Sequence, residues 1–236
     1  MSSAETAKGT LSGKNGAMNL STSIVNRLRS DILGGVIVPG TKLRADELRS
    51  KFDVSLTPVR EALMRLAADG LVIAEDQRGF RVTPVSRQNL KEVNELRKNL
   101  ECLALRHSIE SGDLDWEADV VAALHRLESL DSRRSGDDAA INQDWERWHR
   151  AFHLALIDRC DMPLLLNFCK TLHDMSDRYR RMFLPVTRRV DRQEEHKNIA
   201  AVARNRDPDR AVQLLREHIE QTERLVLEAF DVASIT

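Results

Sequence analysis

Residues 55–70 read SLTPVREALMRLAADG, and LVIAED (71–76) and GFRVTPV (79–85) follow. Val59, Leu63 and Leu66 recur at the three-to-four spacing of a helix that buries one face. Ser55 or Thr57 can cap its start, Pro58 is tolerated in its first turn, and Gly70 closes it. The two runs after it read as short strands, with a tight turn at Gln77-Arg78-Gly79. Upstream, Ile24, Val25, Leu28 and Ile32 mark a helix over residues 22–34, ended by Gly34-Gly35. Pro39-Gly40 marks a turn, and a short helix over 45–52 turns Leu48 and Phe52 inward. Three helices and a two-stranded hairpin in about 65 residues predict a winged helix-turn-helix over 21–86. Residues 1–20 read as a flexible polar tail.

From Arg87 onward only helical patterns occur, over about 87–111, 115–131, 138–159, 162–184, 189–205 and 208–230. Pro163, Pro185 and Pro208 fall at or near their boundaries. Six helices with short connections predict an all-α bundle over 87–230, with 231–236 as a tail. The fold class is therefore mainly α: a winged helix-turn-helix with a small hairpin wing, then a helical bundle.

The chain has 236 residues and a formal net charge of −1, which excludes a chain-wide basic footprint. Charge is nevertheless uneven. Residues 21–86 carry ten Lys/Arg against eight Asp/Glu, leaving 87–236 about four charges negative. The sign suits a nucleic-acid surface confined to the first domain. No run of about 18 apolar residues exists to span a membrane, and the first residues lack an apolar signal core. Cys102, Cys160 and Cys169 are odd in number and lie in apolar helical contexts, so they read as buried thiols rather than a disulfide framework. A cytoplasmic location is the expectation.

In a helix-turn-helix the second helix enters the major groove. Thr57, Arg60 and Met64 share the face opposite the buried stripe. Arg60 suits bidentate bonding to guanine O6 and N7, or pairing with a local carboxylate. Ser55 and Thr57 suit phosphate contacts at a helix start, or capping alone. Arg78 and Gly79, at the wing tip, suit the minor groove or its phosphates.

Four histidines stand out in the bundle. His149 and His153 are four residues apart and share a face with Phe152 and Leu156. His196 aligns with Ile199, Ala200 and Ala203, and His218 with Leu214, Leu215 and Leu225. All four fall on core-facing stripes of three helices. They are either core histidines bonded to neighbours or ligands of a transition metal. His107, His125 and His173 lack such a pattern and read as ordinary surface or core positions.

PGTKL (39–43), SLTPVREALMRLAADGLV (55–72) and RGFRVTPVS (78–86) together resemble the DNA-binding domain of the GntR regulators. NLKEVNELRKNLECLAL (89–105), HRAFHLALI (149–157) and EEHKNIAAVARNRDPDRAVQLLREHI (194–219) resemble the helical effector domain of the FadR-type (FCD) branch. The resemblance spans about residues 22–230, with both pattern sets in the right order. It implies that His153, His196 and His218 bind a divalent metal, most simply zinc, with nickel or another transition metal as alternatives. The family's fourth ligand is usually Asp or Asn, and His149 stands in that place. An all-imidazole shell leaves the ion's charge uncompensated and attracts a carboxylate more strongly.

The same resemblance points Arg97 at the pocket, to clamp an effector carboxylate, with a salt bridge to Glu101 as the other use of that charge. Arg178, Tyr179 and Arg181 in SDRYRRMF are further pocket candidates, or members of a solvated face. Two positions depart from the family's pattern. Leu56 and Asp46 stand where relatives commonly carry Arg, so Arg44 or Arg49 is expected to take over phosphate contacts.

HRAFH has the H-x3-H spacing of a zinc metalloprotease helix, but Arg150 occupies the place of the required Glu base. The expectation is therefore not an enzyme. It is a homodimeric repressor that binds a pseudo-palindromic double-stranded operator and is released by a small organic acid. The alternative is a regulator whose helical domain only dimerises around a structural metal. A metal-dependent hydrolase is the third reading.

Overall fold

The structure is a computed structural model that describes residues 9–75, 79–131, 139–184 and 193–233. The chain divides into two compact units, residues 1–85 and 86–236.

In the first unit α1 (Gly9–Leu33) leads to β1 (Lys42–Leu43), α2 (Ala45–Phe52), α3 (Leu56–Ala68), β2 (Val72–Glu75) and β3 (Gly79–Val82). Ile24, Val25, Leu28 and Ile32 of α1 are buried with Leu48 of α2 and Val59, Leu63 and Leu66 of α3. Phe52 is only partly buried against that core. Asp53 caps α2 in the left-handed conformation (φ 50°) and turns the chain toward α3. Two expectations need correction. The backbone is already helical at Gly9, inside the stretch read as a tail. That stretch contains no proline, and extending an existing helix is far cheaper than nucleating one. The sheet has three strands rather than two. β1 pairs antiparallel with β3 (Lys42 opposite Arg81, Leu43 opposite Phe80), and β3 with β2 (Val72 opposite Val82, Glu75 opposite Gly79), giving the order β1-β3-β2.

Among its described residues the elements of the second unit are all helices: α4 (Arg87–Ser111), α5 (Leu114–Asp131), α6 (Ala139–Ile157), α7 (Pro163–Phe183), α8 (Gln193–Arg204) and α9 (Pro208–Ala233). Its core joins Leu105 of α4, Trp116 and Leu127 of α5, Trp145, Phe152 and Leu156 of α6, Cys169 of α7, Ile199 of α8 and Leu215 and Ile219 of α9. The three thiols are buried and free. Burial pushes Cys102 up to about 11 and Cys169 to about 12, so neither is a ready thiolate.

The corner between α4 and α5 is tight. Gly112 ends α4, and the Asp113 carboxylate accepts from the Trp116 amide at 2.8 Å. A methyl group on Gly112 would stand 2.4 Å from Trp116 Cε3 and 2.5 Å from the Ser108 carbonyl oxygen. Trp116 is locked in the core and its Nε1 donates to Ala155 O at 2.9 Å, so neither neighbour can yield cheaply. Gly112→Ala is expected to destabilise the helical unit by about 1–3 kcal/mol, the range for overpacking. Thermal unfolding of the purified variant checks this, and an unchanged melting temperature would refute it.

Candidate functional site

α3 buries Pro58, Val59, Ala62, Leu63 and Leu66, and exposes Thr57, Arg60 and Met64 (57% exposed) along the other face. Arg60 and Arg49 are exposed, and no ion pair holds either among the described residues. Arg44, at the start of α2, is exposed and pairs with Glu47 at 3.2 Å. Ser55 is the residue that caps α3, but its hydroxyl makes no capping bond. Thr57 lies within the first turn rather than at the cap. The first amides of α3 lie beyond intrahelical bonding and add a local positive end. Gly79 is exposed at the start of β3 with φ +92°, a conformation that favours glycine. Arg78 lies outside the described residues. Arg81 is held by Glu75 at 2.6 Å and donates to Gly40 O at 2.6 Å, so it braces the wing. Asp46 is exposed in the first turn of α2.

In the second unit, His149 and His153 of α6, His196 of α8 and His218 of α9 converge, one potential ligand atom from each lying within 4.8 Å of all the others. All four are buried. His149 Nδ1 and both ring nitrogens of His153 have no hydrogen-bond partner among the described residues. Glu195 Oε2 lies 2.7 Å from His218 Nδ1, the kind of carboxylate contact that fixes a tautomer and turns the other nitrogen outward. Trp145 stacks on His149 at 4.7 Å between ring centroids, and Arg180 lies over Trp145 at 5.2 Å.

Beside the cluster runs a narrow cavity lined among others by Arg97, His173, Ser176, Asp177 and Arg180. Arg97 does two things there. It forms a bidentate pair with Glu101 (2.7 and 3.1 Å), and its Nη1 donates to Ser176 Oγ at 2.9 Å. Burial would raise the Glu101 carboxyl, but Arg97 and His173 outweigh it and hold it at about 2.

Arg178, Tyr179 and Arg181 do not line this cavity. The α7 residues that do, His173, Ser176, Asp177 and Arg180, follow the helical repeat, which leaves the other three on different faces. Arg178 packs over the Tyr179 ring. Tyr179 is buried against the start of α4, where the Ser86 amide donates to its hydroxyl (3.1 Å) and the hydroxyl donates to Asn89 Oδ1 (2.9 Å). Arg181 pairs with Glu146 at 3.1 Å. His173, read as an ordinary position, is instead buried in the cavity wall. It shares its helical face with Ser176, Asp177 and Arg180, a polar repeat that the sequence does not distinguish from a solvated face. Arg150 pairs with Asp174 at 2.6 Å, so the position a protease base would occupy is taken by a bound cation.

Residues 20–82 match the family of bacterial regulatory proteins called gntR, and residues 92–221 match the FCD domain. The chain is 41% identical over 197 residues to the HTH-type transcriptional regulator BphR of Paraburkholderia xenovorans (strain LB400), covering 83% of this chain and 80% of that one. It is 34% identical to the HTH-type transcriptional repressor GlaR of Escherichia coli (strain K12), covering 81% and 89%. The solved structure of E. coli McbR/YncC shares the fold, with a TM-score of 0.75 over 89% of this chain and 98% of that one at 24% identity. The fold and these likenesses define a DNA-binding transcription regulator, and the relatives are regulators rather than enzymes. The chain belongs to the GntR family, in the branch that carries an FCD domain. Among the described residues no helix is long and apolar enough to cross a membrane.

Burial holds His149 and His153 well below the ordinary imidazole range, with the Arg180 charge adding to the effect at His149 and the His218 ring at His153. Both are therefore neutral at pH 7. Their folded values lie below the unfolded value of about 6.5, so the unfolded chain takes up protons first as pH falls. Stability of the metal-free protein is expected to be level above about pH 7.5 and to decline below about pH 6.5. The slope approaches about 1.4 kcal/mol per pH unit for each of the two rings. Urea unfolding of chelator-treated protein between pH 8 and pH 5.5 checks this, and a flat profile would contradict it.

Proposed function

We propose that the protein is a homodimeric repressor whose helical unit senses a small organic acid at a metal-bearing cavity. The observation that carries this reading is the group of four buried imidazoles, at least two of them with ring nitrogens left without a partner among the described residues. Neutral buried nitrogens at that mutual spacing are costly unless they ligate something. His149, His153, His196 and His218 would hold the ion. The nitrogen donor set suits zinc first, and nickel or another transition metal as well. A divalent ion bound there supplies a Lewis-acid contact for a carboxylate oxygen and a net positive charge that no carboxylate ligand offsets.

The remaining work falls to side chains that the fold already orients. Glu195 holds the His218 ring in one tautomer. Arg97, fixed by Glu101 and Ser176, presents a guanidinium edge to the cavity, where it can meet the acid's second oxygen. The free space there is of the order of a water or an ion, so the acid is small or enters as the wall side chains shift. Arg97 belongs to α4, which follows β3 in sequence. A ligand that prefers one placement of α4 shifts operator affinity by the extent of that preference.

On the DNA side, Arg60 is the base reader, supported by Ser55, Thr57, Arg44, Arg49 and the wing residues Arg78 and Gly79. A two-fold dimer reads a pseudo-palindromic double-stranded operator. The name of GlaR, a repressor, supports the sign of regulation.

Arg60→Ala is expected to lose about 1–3 kcal/mol of specific binding and to relax base preference, while nonspecific binding changes little. Competition assays on an operator selected from random DNA check this. Equal losses on specific and nonspecific DNA would make Arg60 a phosphate contact. His153→Ala is expected to lose the metal on purification and, with it, all release of DNA by acids, while operator binding without acid is retained. Elemental analysis alongside operator titrations is the test. Wild-type metal content in the variant would remove His153 from the ligand set, and wild-type acid response would remove the metal from sensing.

A further inference from the structure

His173 and Asp177 stand one turn apart on α7, both in the cavity wall, and each has one polar atom without a hydrogen bond among the described residues, although Arg181 lies 3.8 Å from Asp177 Oδ2. Arg97 Nη2 lies 3.2 Å from His173 Nδ1. A guanidinium only donates, so Nδ1 accepts and the neutral ring carries its proton on Nε2. That N–H has no hydrogen-bond partner among the described residues. Asp177 supplies the complement. Its Oδ1 accepts from Arg180 at 3.1 and 2.8 Å, while its Oδ2 accepts no hydrogen bond among the described residues. Two bonds from Arg180 to Oδ1 and the Arg181 guanidinium 3.8 Å from Oδ2 keep this carboxylate ionised. Oδ2 is therefore an acceptor that carries no proton.

The open donor and the open acceptor are 3.8 Å apart. That is too far for a direct hydrogen bond and suited to one oxygen that bridges them. Such an oxygen must accept from an N–H and donate to a carboxylate, so it belongs to a hydroxyl or a water. A carbonyl or carboxylate oxygen cannot donate and would face the Asp177 charge, and an ammonium cannot accept. The place of this oxygen is also set. A ring nitrogen of His149 lies within 4.8 Å of ligand atoms of both His173 and Asp177, and His149 is equally a member of the four-histidine cluster. The hydroxyl position thus adjoins the histidine cluster where a carboxylate would be held, so both groups fit on one small acid.

We propose that the acid sensed is a small hydroxy acid whose hydroxyl oxygen accepts from His173 Nε2 and donates to Asp177 Oδ2. This rests on the acid-sensing reading above and adds the chemical class of the ligand. It also excludes the matching oxo acid, whose carbonyl oxygen has no proton for Asp177.

The test is calorimetric titration of the purified zinc-loaded full chain with matched acids. Glycolate, lactate, 2-hydroxybutyrate and malate are set against acetate, propionate, butyrate and succinate, with pyruvate as the oxo partner of lactate. At least one hydroxy acid is expected to bind about tenfold or more tightly than its deoxy partner, the scale of one hydrogen bond to a charged group. Asp177→Asn then gives a directional check. The two Arg180 bonds keep the amide oxygen at the Oδ1 position, so the amide NH2 takes the place of Oδ2 and the pair becomes two donors. The pyruvate-to-lactate affinity ratio is expected to rise about tenfold, which a merely structural loss would not produce.

If that variant does not fold, His173→Leu removes the N–H while leaving Arg97 its bonds to Glu101 and Ser176, and hydroxy and deoxy acids should then bind alike. Equal affinity of wild-type protein for every hydroxy and deoxy pair overturns the hydroxyl assignment alone, and makes the bridging oxygen a water. A folded Asp177→Asn protein with unchanged discrimination overturns it too. No binding by any acid overturns it together with the reading on which it rests.

Discussion

Removing ionisable side chains from water is the constraint that organises the helical unit. His149, His153, His173, His196 and His218 are all buried, as are Arg97, Arg178 and Arg180. An isolated charge in such a place is prohibitively costly, so Arg97 and Arg180 are answered by carboxylates, while Arg178 lies over the Tyr179 ring. Arg97 takes Glu101, Arg180 takes Glu146 and Asp177, and Arg150 takes Asp174. His149 and His153 escape the penalty differently, by staying neutral. Neutral rings avoid the Born cost but keep their hydrogen-bonding demand. Among the described residues, the ring nitrogens of His153, Nδ1 of His149, Nε2 of His173 and Oδ2 of Asp177 are left without a hydrogen bond, as are Asn94 Nδ2 and Ser108 Oγ on α4.

α7 shows how one helix serves both needs. Its residues at 173, 176, 177 and 180 face the cavity and carry the polar chemistry. Cys169 and Leu172 continue the buried surface toward the start of the helix. Asp177 links the two tasks, since one oxygen neutralises Arg180 while the other stays open to the cavity. The substitution of an imidazole for a carboxylate at 149 acts in the same direction. It leaves the four-residue cluster without a carboxylate, so the cluster itself offers an anion no repulsion.

The helices were legible because each buries one face. The stripes of Val59, Leu63 and Leu66 in α3 and of Ile199, Ala200 and Ala203 in α8 carry a period that a single sequence displays. The four clustered histidines were legible for the same reason, since each sits on such a stripe. β1 was not, because Lys42 and Leu43 are too few to show alternation and pair with a strand nearly forty residues away. His173 was missed because its neighbours on the repeat are Ser176, Asp177 and Arg180, which look like a solvated face when only apolar residues are taken to point inward. Arg181 was favoured over Arg180 on composition alone. Which of two adjacent arginines enters a cavity depends on one residue of helical phase, and both were compatible with the charged run. A buried polar stripe and an exposed one have the same spacing, and only the carboxylates brought in by other helices, Glu146 and Glu101, distinguish them.

Tyr179 shows why the side of α7 away from the cavity matters as well. It is the chain's single tyrosine, it is 1% exposed, and its hydroxyl binds the first turn of α4 rather than any ligand. The hydroxyl has one proton. The Asn89 Oδ1 contact at 2.9 Å is shorter than that to Ser86 O at 3.2 Å, so Asn89 takes the proton and the Ser86 amide donates in return. α4 is thus held to α7 at two levels, by Tyr179 at its start and by Arg97 with Ser176 two to three turns further on. Only the second of these faces the cavity. On the proposed reading, a ligand that engages Arg97, His173 or Asp177 would act on the inner level and so bear on how α4 lies against α7 about the Tyr179 contact. Packed helices respond to such a load by moving between discrete arrangements rather than by bending freely. The contact that sequence reading assigned to ligand binding is in this arrangement the fixed point against which binding can act.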